Sequence, residues 1–264
     1  MDNQDKTKAL AEQMSKIKNT IVVLSGKGGV GKSTVAVNLA VGLSMKGYKT
    51  GLLDVDVHGP SVPTLLGLEL SQPESDGTSI FPVKYNENLK VISVGFMLED
   101  INAPIVWRGP LKMSYIQQML SDVEWGELDY LIVDCPPGTG DEPLGVMQTI
   151  KNPTSAVIVT TPQRLAIVDV KKSVNFCKKL NTRIVGIVEN MSGFVCPDCG
   201  KVFDIFKTGG GENLAQEMNV PFLGKIPLES KIVESDDEGT PYIEFNAETQ
   251  TAKEFNKIIE KIIA

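Results

Sequence analysis

The chain is poor in basic charge, histidine, cysteine and long apolar runs, and each shortage closes off a class of protein. Lys and Arg number 26 against 33 Asp and Glu, a formal net charge of −7. Nonspecific nucleic-acid binding needs a basic surface that releases counterions, so no nucleic-acid partner is expected. Residues 1–20 are polar and mixed in charge; they lack the apolar core of a secretory signal. No run of about 18 apolar residues occurs, so no membrane-spanning helix is expected. Four cysteines without such a signal fit a reducing cytoplasm rather than a disulfide scaffold. Neither an internal repeat nor a long low-complexity tract is present. What remains is 264 residues with 42% hydrophobic content, enough for a substantial core. A single domain over residues 1–264 is expected. Residues 1–19 would form an N-terminal extension, 192–210 a cysteine-bearing loop region and 246–264 an amphipathic C-terminal helix.

The stretch around which the rest is organised is SGKGGVGKST, residues 25–34. A buried-strand run, Ile21-Val22-Val23-Leu24, precedes it, and Val35 to Val41 reads as the start of a helix. A Gly-rich loop between strand and helix cradles phosphate, because its N–H groups turn inward and the helix N-terminus adds partial positive charge. Gly26, four residues, then Gly31-Lys32-Ser33 is P-loop spacing. The expected nucleotide-binding residues are Gly26, Lys27, Gly28, Gly29, Val30, Gly31, Lys32, Ser33 and Thr34. Lys32 would reach the β- and γ-phosphates, and the Ser33 hydroxyl would ligate Mg²⁺. Lys27 is surplus to that task. A lysine so early in the loop points away from its own nucleotide in most geometries, and it could serve a nucleotide held by another chain.

Further along, apolar strand runs alternate with helical patterns. Strands are expected at 49–54, 89–94, 129–134, 156–160, 183–189 and 221–226. Helices are expected at 5–17, 111–121 and 165–180. Such alternation implies parallel pairing with right-handed crossovers, hence a doubly wound α/β fold with a mostly parallel sheet. Residues 67–78, polar and containing Pro and Gly, read as an exposed loop. Ligands bind such sheets at the carboxyl ends of the strands, where several polar residues fall. Asp56 is the candidate for positioning an attacking water. Asp54 would hold its loop or metal-bound waters. Asp134 ends an apolar strand in a Walker B pattern and would hold Mg²⁺. Gly138 and Gly140 let the next loop approach the γ-phosphate. Asn190, with an amide that both donates and accepts, suits an adenine edge. Arg108 is a candidate for phosphate or for an acid at a dimer face.

The second informative site is Cys196-Pro197-Asp198-Cys199. Thiols three residues apart can face one metal, but tetrahedral zinc or an iron–sulfur cluster takes four ligands. Only Cys135, Cys177 and the single histidine, His58, remain, and the sequence disperses them. Three readings stay open on spacing alone: a pair completed by its copy across a two-fold axis, a dithiol redox couple, or half of a structural zinc knuckle.

Resemblance narrows these. KGGVGKST resembles the deviant Walker A of the MinD/ParA class of P-loop ATPases, in which the early lysine crosses a dimer interface to the partner's ATP. DVDVHGPSVP, WRGP, DCPPGTGDEP, ENMSGFVCPDCG and IFKTGGGENLA together resemble the Mrp/ApbC family, over about residues 19–232. The resemblance implies an ATPase that binds and transfers iron–sulfur clusters. Cys196 and Cys199 would be the ligands of a [4Fe-4S] cluster shared by two subunits. Lys27, Lys32, Ser33, Asp56 and Asp134 match the nucleotide and Mg²⁺ positions, and Asn190 the adenine contact. The implied partners are a second copy and apo iron–sulfur proteins. Residues 1–20 carry none of the extra cysteines of some members, so a minimal form is expected. The competing reading is a MinD-like, ATP-switched membrane binder. It rests on the apolar face of Phe255, Ile258, Ile259, Ile262 and Ile263, beside Lys253, Lys257 and Lys261, a pattern suited to an anionic membrane. Glu254 and Glu260 dilute that basic face, so packing on the domain is the expectation and membrane binding is not.

Overall fold

The chain is described here from a computed structural model, over residues 10–97, 109–150, 154–196, 199 and 201–264. Eight strands form one sheet in the order β12-β9-β8-β1-β7-β2-β6-β5. They are β1 (Ile17–Ser25), β2 (Thr50–Asp54), β5 (Val83–Asn86), β6 (Leu89–Ser93), β7 (Leu128–Asp134), β8 (Thr154–Thr160), β9 (Arg183–Glu189) and β12 (Phe222–Lys225). All neighbours pair in parallel except β5, which runs antiparallel at the edge beside β6. Two small hairpins stand apart: β3 (Glu74–Ser75) with β4 (Ile80–Phe81), and β10 (Phe194–Val195) with β11 (Val202–Phe203).

Strand side chains alternate between faces, and the core divides accordingly. Ile21, Val23, Leu52, Ile132, Val157 and Val159 point to one layer. Val22, Leu24, Leu53, Leu131, Val133 and Ile158 point to the other. The first layer holds α1 (Lys32–Met45), α2 (Val62–Leu65), α8 (Tyr242–Phe245) and α9 (Gln250–Ile263). The second holds α3 (Gly109–Ser121), α4 (Asp141–Thr149), α5 (Arg164–Lys179) and α6 (Gly210–Met218). A further helix, α7 (Ser230–Glu238), packs on α2. Strands buried from both sides explain the unbroken apolar runs of the sequence.

The differences from expectation are local. Residues 10–15 are helical, but Ile17 already belongs to β1 and pairs with Leu128; parallel pairing carries the strand back through the polar Lys18 and Asn19. The exposed 67–78 loop contains half of the β3–β4 hairpin. The antiparallel β5 was unforeseen. The C-terminal helix starts at Gln250, with the Thr249 hydroxyl capping the N–H of Ala252 at 3.1 Å. Its Phe255, Ile258 and Ile259 are buried against α1 and the sheet. A Cβ on Gly42 of α1 would lie 2.3 Å from Ile259 Cδ1, so the two helices meet at a glycine. The apolar stripe that a membrane anchor would use is spent on the domain core.

Candidate nucleotide site and cysteine hairpin

Parallel register brings the ends of three strands together. Val23 pairs with Asp134, and Asp54 pairs with Asp134. The P-loop leaves the end of β1 between them and runs into α1. Gly29 and Gly31 take left-handed φ angles of 75° and 78°, which L side chains adopt at a cost. Gly31 is doubly constrained, since a Cβ there would lie 2.2 Å from Asn190 Nδ2. The loop walls a cleft of about 240 Å³, lined by residues 27–34 with Ser25, Asp56, Ser61, Leu65 and Pro137. Among the described residues, none accepts a hydrogen bond from the backbone N–H groups of Gly28 to Ser33. A row of unengaged donors at a helix N-terminus is an anion cradle.

Behind the cleft lies a buried charge cluster. Lys32 Nζ donates to Asp134 Oδ1 at 2.5 Å and to Ser33 Oγ at 3.2 Å, and stands 4.0 Å from Asp56. Burial works against the Lys32 charge, but Asp134, then Asp56 and Asp54, outweigh it and hold its pKa above the ordinary value. Asp54 is fully buried. Its Oδ1 accepts from the Asp56 N–H at 3.0 Å, and its Oδ2 accepts from Ser93 Oγ at 2.8 Å. Burial, with the Asp134 charge second, pushes its pKa up to about 7. Burial likewise raises Asp56, against the pull of Lys32. Asp134 Oδ2 is buried without a hydrogen-bond partner. An orphaned carboxylate oxygen near the Ser33 hydroxyl suits a hard cation that takes oxygen ligands.

The other expected residues fall as follows. Lys27 lines the cleft, and among the described residues its ammonium has no carboxylate partner. Asn190 is buried and donates from Nδ2 to Val30 O at 2.9 Å, so its amide rests on the P-loop. Gly138 takes φ 93°, and its N–H donates to Ser25 O at 2.9 Å, joining the loop after β7 to the P-loop. His58 Nε2 lies 3.5 Å from Glu142 Oε1. Arg108, Pro197 and Gly200 lie outside the described residues. Two contacts had no sequence signal. Thr34 Oγ1 donates to Asp236 Oδ2 on α7 at 2.7 Å, and burial lifts Asp236 to about 6. Glu189, buried at the end of β9, gathers several donors. A separation of 202 positions hides the first, and the second depends on how the segment from Ser192 to Gly211 folds back on the end of β9.

The four thiols divide sharply. Cys135 and Cys177 are buried; burial raises both, Cys177 to about 12. Cys196 is half-buried and Cys199 exposed. They belong to the turn of the β10–β11 hairpin, where the Cys196 N–H donates to Lys201 O at 3.0 Å. Exposed Val202, Phe203 and Ile205 flank the pair. Among the described residues, no group of three or more His, Cys, Asp or Glu is placed to hold a metal.

A doubly wound sheet with a P-loop after its β1 strand defines a nucleotide-binding P-loop NTPase. The chain belongs to the ParA family described as NUBPL iron-transfer P-loop NTPases, which it matches over residues 16–263. It is 52% identical to the iron–sulfur cluster carrier protein of Methanocaldococcus jannaschii over 254 residues, covering 96% of this chain and 87% of that one. It is 50% identical over 252 residues to a cytosolic Fe-S cluster assembly factor NUBP2 homolog of Trichoplax adhaerens, covering 94% and 95%. Among solved structures, a nucleotide-binding protein of Archaeoglobus fulgidus in complex with ADP superposes with a TM-score of 0.79 at 41% identity. That match covers 89% of this chain and 92% of the other.

Proposed function

We propose that this chain is an ATP-hydrolysing carrier that holds a [4Fe-4S] cluster between two copies of itself and passes it to apo iron–sulfur proteins. The observation that carries the reading is the division of the thiols. Each chain offers two cysteines at one place near the surface, the half-buried Cys196 and the exposed Cys199, while the other two are sealed in the core. A cluster held by four thiolates then needs a second chain, and an exposed site is one from which it can leave. Relatives named as iron–sulfur cluster carrier and cytosolic assembly factor support the same reading and a cytoplasmic location.

The nucleotide half of the proposal follows from the cleft. The free N–H row from Gly28 to Ser33 would bind phosphate oxygens, with Lys32 turning from Asp134 toward them. Asn190 would meet the adenine. Ser33 and the free oxygen of Asp134 would hold Mg²⁺, which supplies charge neutralisation during phosphoryl transfer. Asp56, at the cleft wall, would orient the attacking water. Lys27, without an acidic partner of its own, would reach the nucleotide of the second chain.

Anaerobic reconstitution with iron and sulfide tests the carrier reading. The expected result is about two irons per chain, four per four-thiolate cluster, with an iron–sulfur chromophore and a dimer. Cys196→Ala or Cys199→Ala should abolish both while ADP binding persists. One tightly held zinc per monomer, with no iron chromophore, would overturn it.

A further inference from the structure

We propose that Glu189 is a positioning residue that couples the nucleotide cleft to the cysteine hairpin by clasping both ends of the loop that carries the cysteines. The proposal rests on the roles given above to Asn190 and to the cysteine pair.

Glu189 is the last residue of β9, is fully buried, and is absent from the lining of the cleft. Its Oε1 accepts from Ser192 Oγ at 2.5 Å and from the Gly209 N–H at 2.8 Å; its Oε2 accepts from the Gly211 N–H at 2.5 Å. Ser192 Oγ also lies 2.9 Å from Thr208 Oγ1. Ser192 is where the chain leaves the sheet for the hairpin, and Thr208 to Gly211 is where it returns to start α6. One carboxylate therefore closes a loop whose tip holds Cys196 and Cys199.

The glycines around it are shaped for this approach. Gly209 takes φ 79°. A Cβ on Gly210 would lie 2.5 Å from Pro162 O, and one on Gly211 would lie 3.1 Å from Glu189 itself. Among the described residues, Glu189 has no cationic partner. A buried carboxylate without a counter-charge is costly, and this one is held by three donors and the N-terminal dipole of α6. Charge-assisted hydrogen bonds fix geometry more tightly than neutral ones. The hairpin has little else to fix it. Its strands are two residues long, and backbone hydrogen bonds tie it to the 226–228 segment, through Ser192 N–H to Ile226 O and Leu228 N–H to Gly193 O.

The next residue along the chain is Asn190, whose amide donates to Val30 O in the P-loop. A purine meeting Asn190 would take the carbonyl or the second N–H of an amide whose first N–H holds the P-loop, and so would load both at once. Any resulting shift of the Asn190 peptide is carried directly into Glu189 and Ser192, and so into both ends of the hairpin. Adjacency in the chain, together with one shared carboxylate, is a contiguous physical link between the two sites.

The test compares wild type with Glu189→Gln as full-length, reduced, cluster-free chains. Iodoacetamide labelling rates of Cys196 and Cys199 are followed by peptide mass spectrometry with and without MgADP; buried Cys135 and Cys177 serve as internal controls. In wild type, MgADP should change the rates about fivefold, the lower end of typical coupling between sites. In Glu189→Gln the ratio should fall to about one, with the MgADP affinity by calorimetry within about threefold of wild type. A merely structural loosening would scale both rates and leave the ratio in place. A wild-type ratio retained in Glu189→Gln overturns the proposal, and so does a ratio of one in wild type that binds MgADP. Wild type that fails to bind MgADP sinks the nucleotide reading and this coupling with it. Should Glu189→Gln fail to fold by circular dichroism, Ser192→Ala decides. It removes one of the three donors and the Thr208 tie, and a ratio unchanged from wild type would then overturn the clasp.

Discussion

Lys32, Asp54 and Asp134 are 7%, 0% and 0% exposed, whereas Cys199, Val202 and Ile205 stand in solvent. Asp54 and Asp134 end the central strands β2 and β7, and Lys32 opens α1 just beyond the end of β1, all three gripped by parallel register and by helices on both faces. The second sits on or beside a hairpin of two-residue strands, and none of the described residues there belongs to the hydrophobic core. The contrast separates two demands. A phosphate site needs preorganised charge in a low-dielectric setting, which only the core of the sheet supplies. A site that gives up its cargo needs access, which the core forbids. Stability and exchange are thereby assigned to different residues, and substitutions in the two regions should behave differently.

Removing Lys32 should break the comparison hardest. Lys32→Ala leaves Asp54, Asp56 and Asp134 in one buried cluster without a cation. Deleting one partner of a buried pair typically costs about 3–5 kcal/mol, so the melting temperature should fall markedly and MgADP binding should vanish in calorimetry. Restored stability in Lys32→Ala on adding a divalent cation alone would show the carboxylates acting as its ligands.

A smaller effect should appear with pH. The folded pKa of Asp54 is raised from 3.8 to about 7, chiefly by burial. A raised folded pKa means that the folded state holds the proton more tightly. Its stabilising contribution is complete below pH 3.8 and is lost as pH rises toward about 7. Asp236, raised to about 6, acts in the same direction over a narrower window. Asp54→Asn should therefore flatten the decline of urea-unfolding stability across that range. A slope identical to wild type would mean that Asp54 is ionised throughout.

The smallest effects should come from the hairpin. Ile205→Ser and Cys199→Ala should each shift unfolding stability by no more than about 0.5 kcal/mol, as surface changes do, although Cys199→Ala should abolish iron binding. A loss of several kcal/mol in urea titrations would place the hairpin within the cooperative core and erase its difference from the nucleotide cleft.

Much of the fold was legible. The run from Arg183 to Glu189 is a strand to the residue, because an apolar run buried on both faces has few other uses. The P-loop sits between β1 and α1 because its glycines permit little else. The antiparallel β5 was missed, since strand direction is a property of pairing and not of composition. Helix α7 was missed because SKIVESDDE is short and acid-rich, with little apolar pattern. Its Asp236 reaches Thr34 across 202 positions of chain.

The candidate site divides along the same line. Spacing alone nominates Gly26 to Thr34, Asp56 and Asp134, since a phosphate-binding loop and a strand-end carboxylate are local patterns. Local pattern likewise marks Cys196 and Cys199 as a pair, but not which cysteines are sealed in the core and which lie at the surface. Burial decided that, and burial depends on which helix covers which face of the sheet. It also decided that Lys32 faces Asp134, that the apolar stripe of α9 belongs to the core, and that Glu189 closes the cysteine loop. Each of these joins residues distant in the chain or sets a side chain against solvent, and neither property is carried by a stretch of sequence until the sheet has paired.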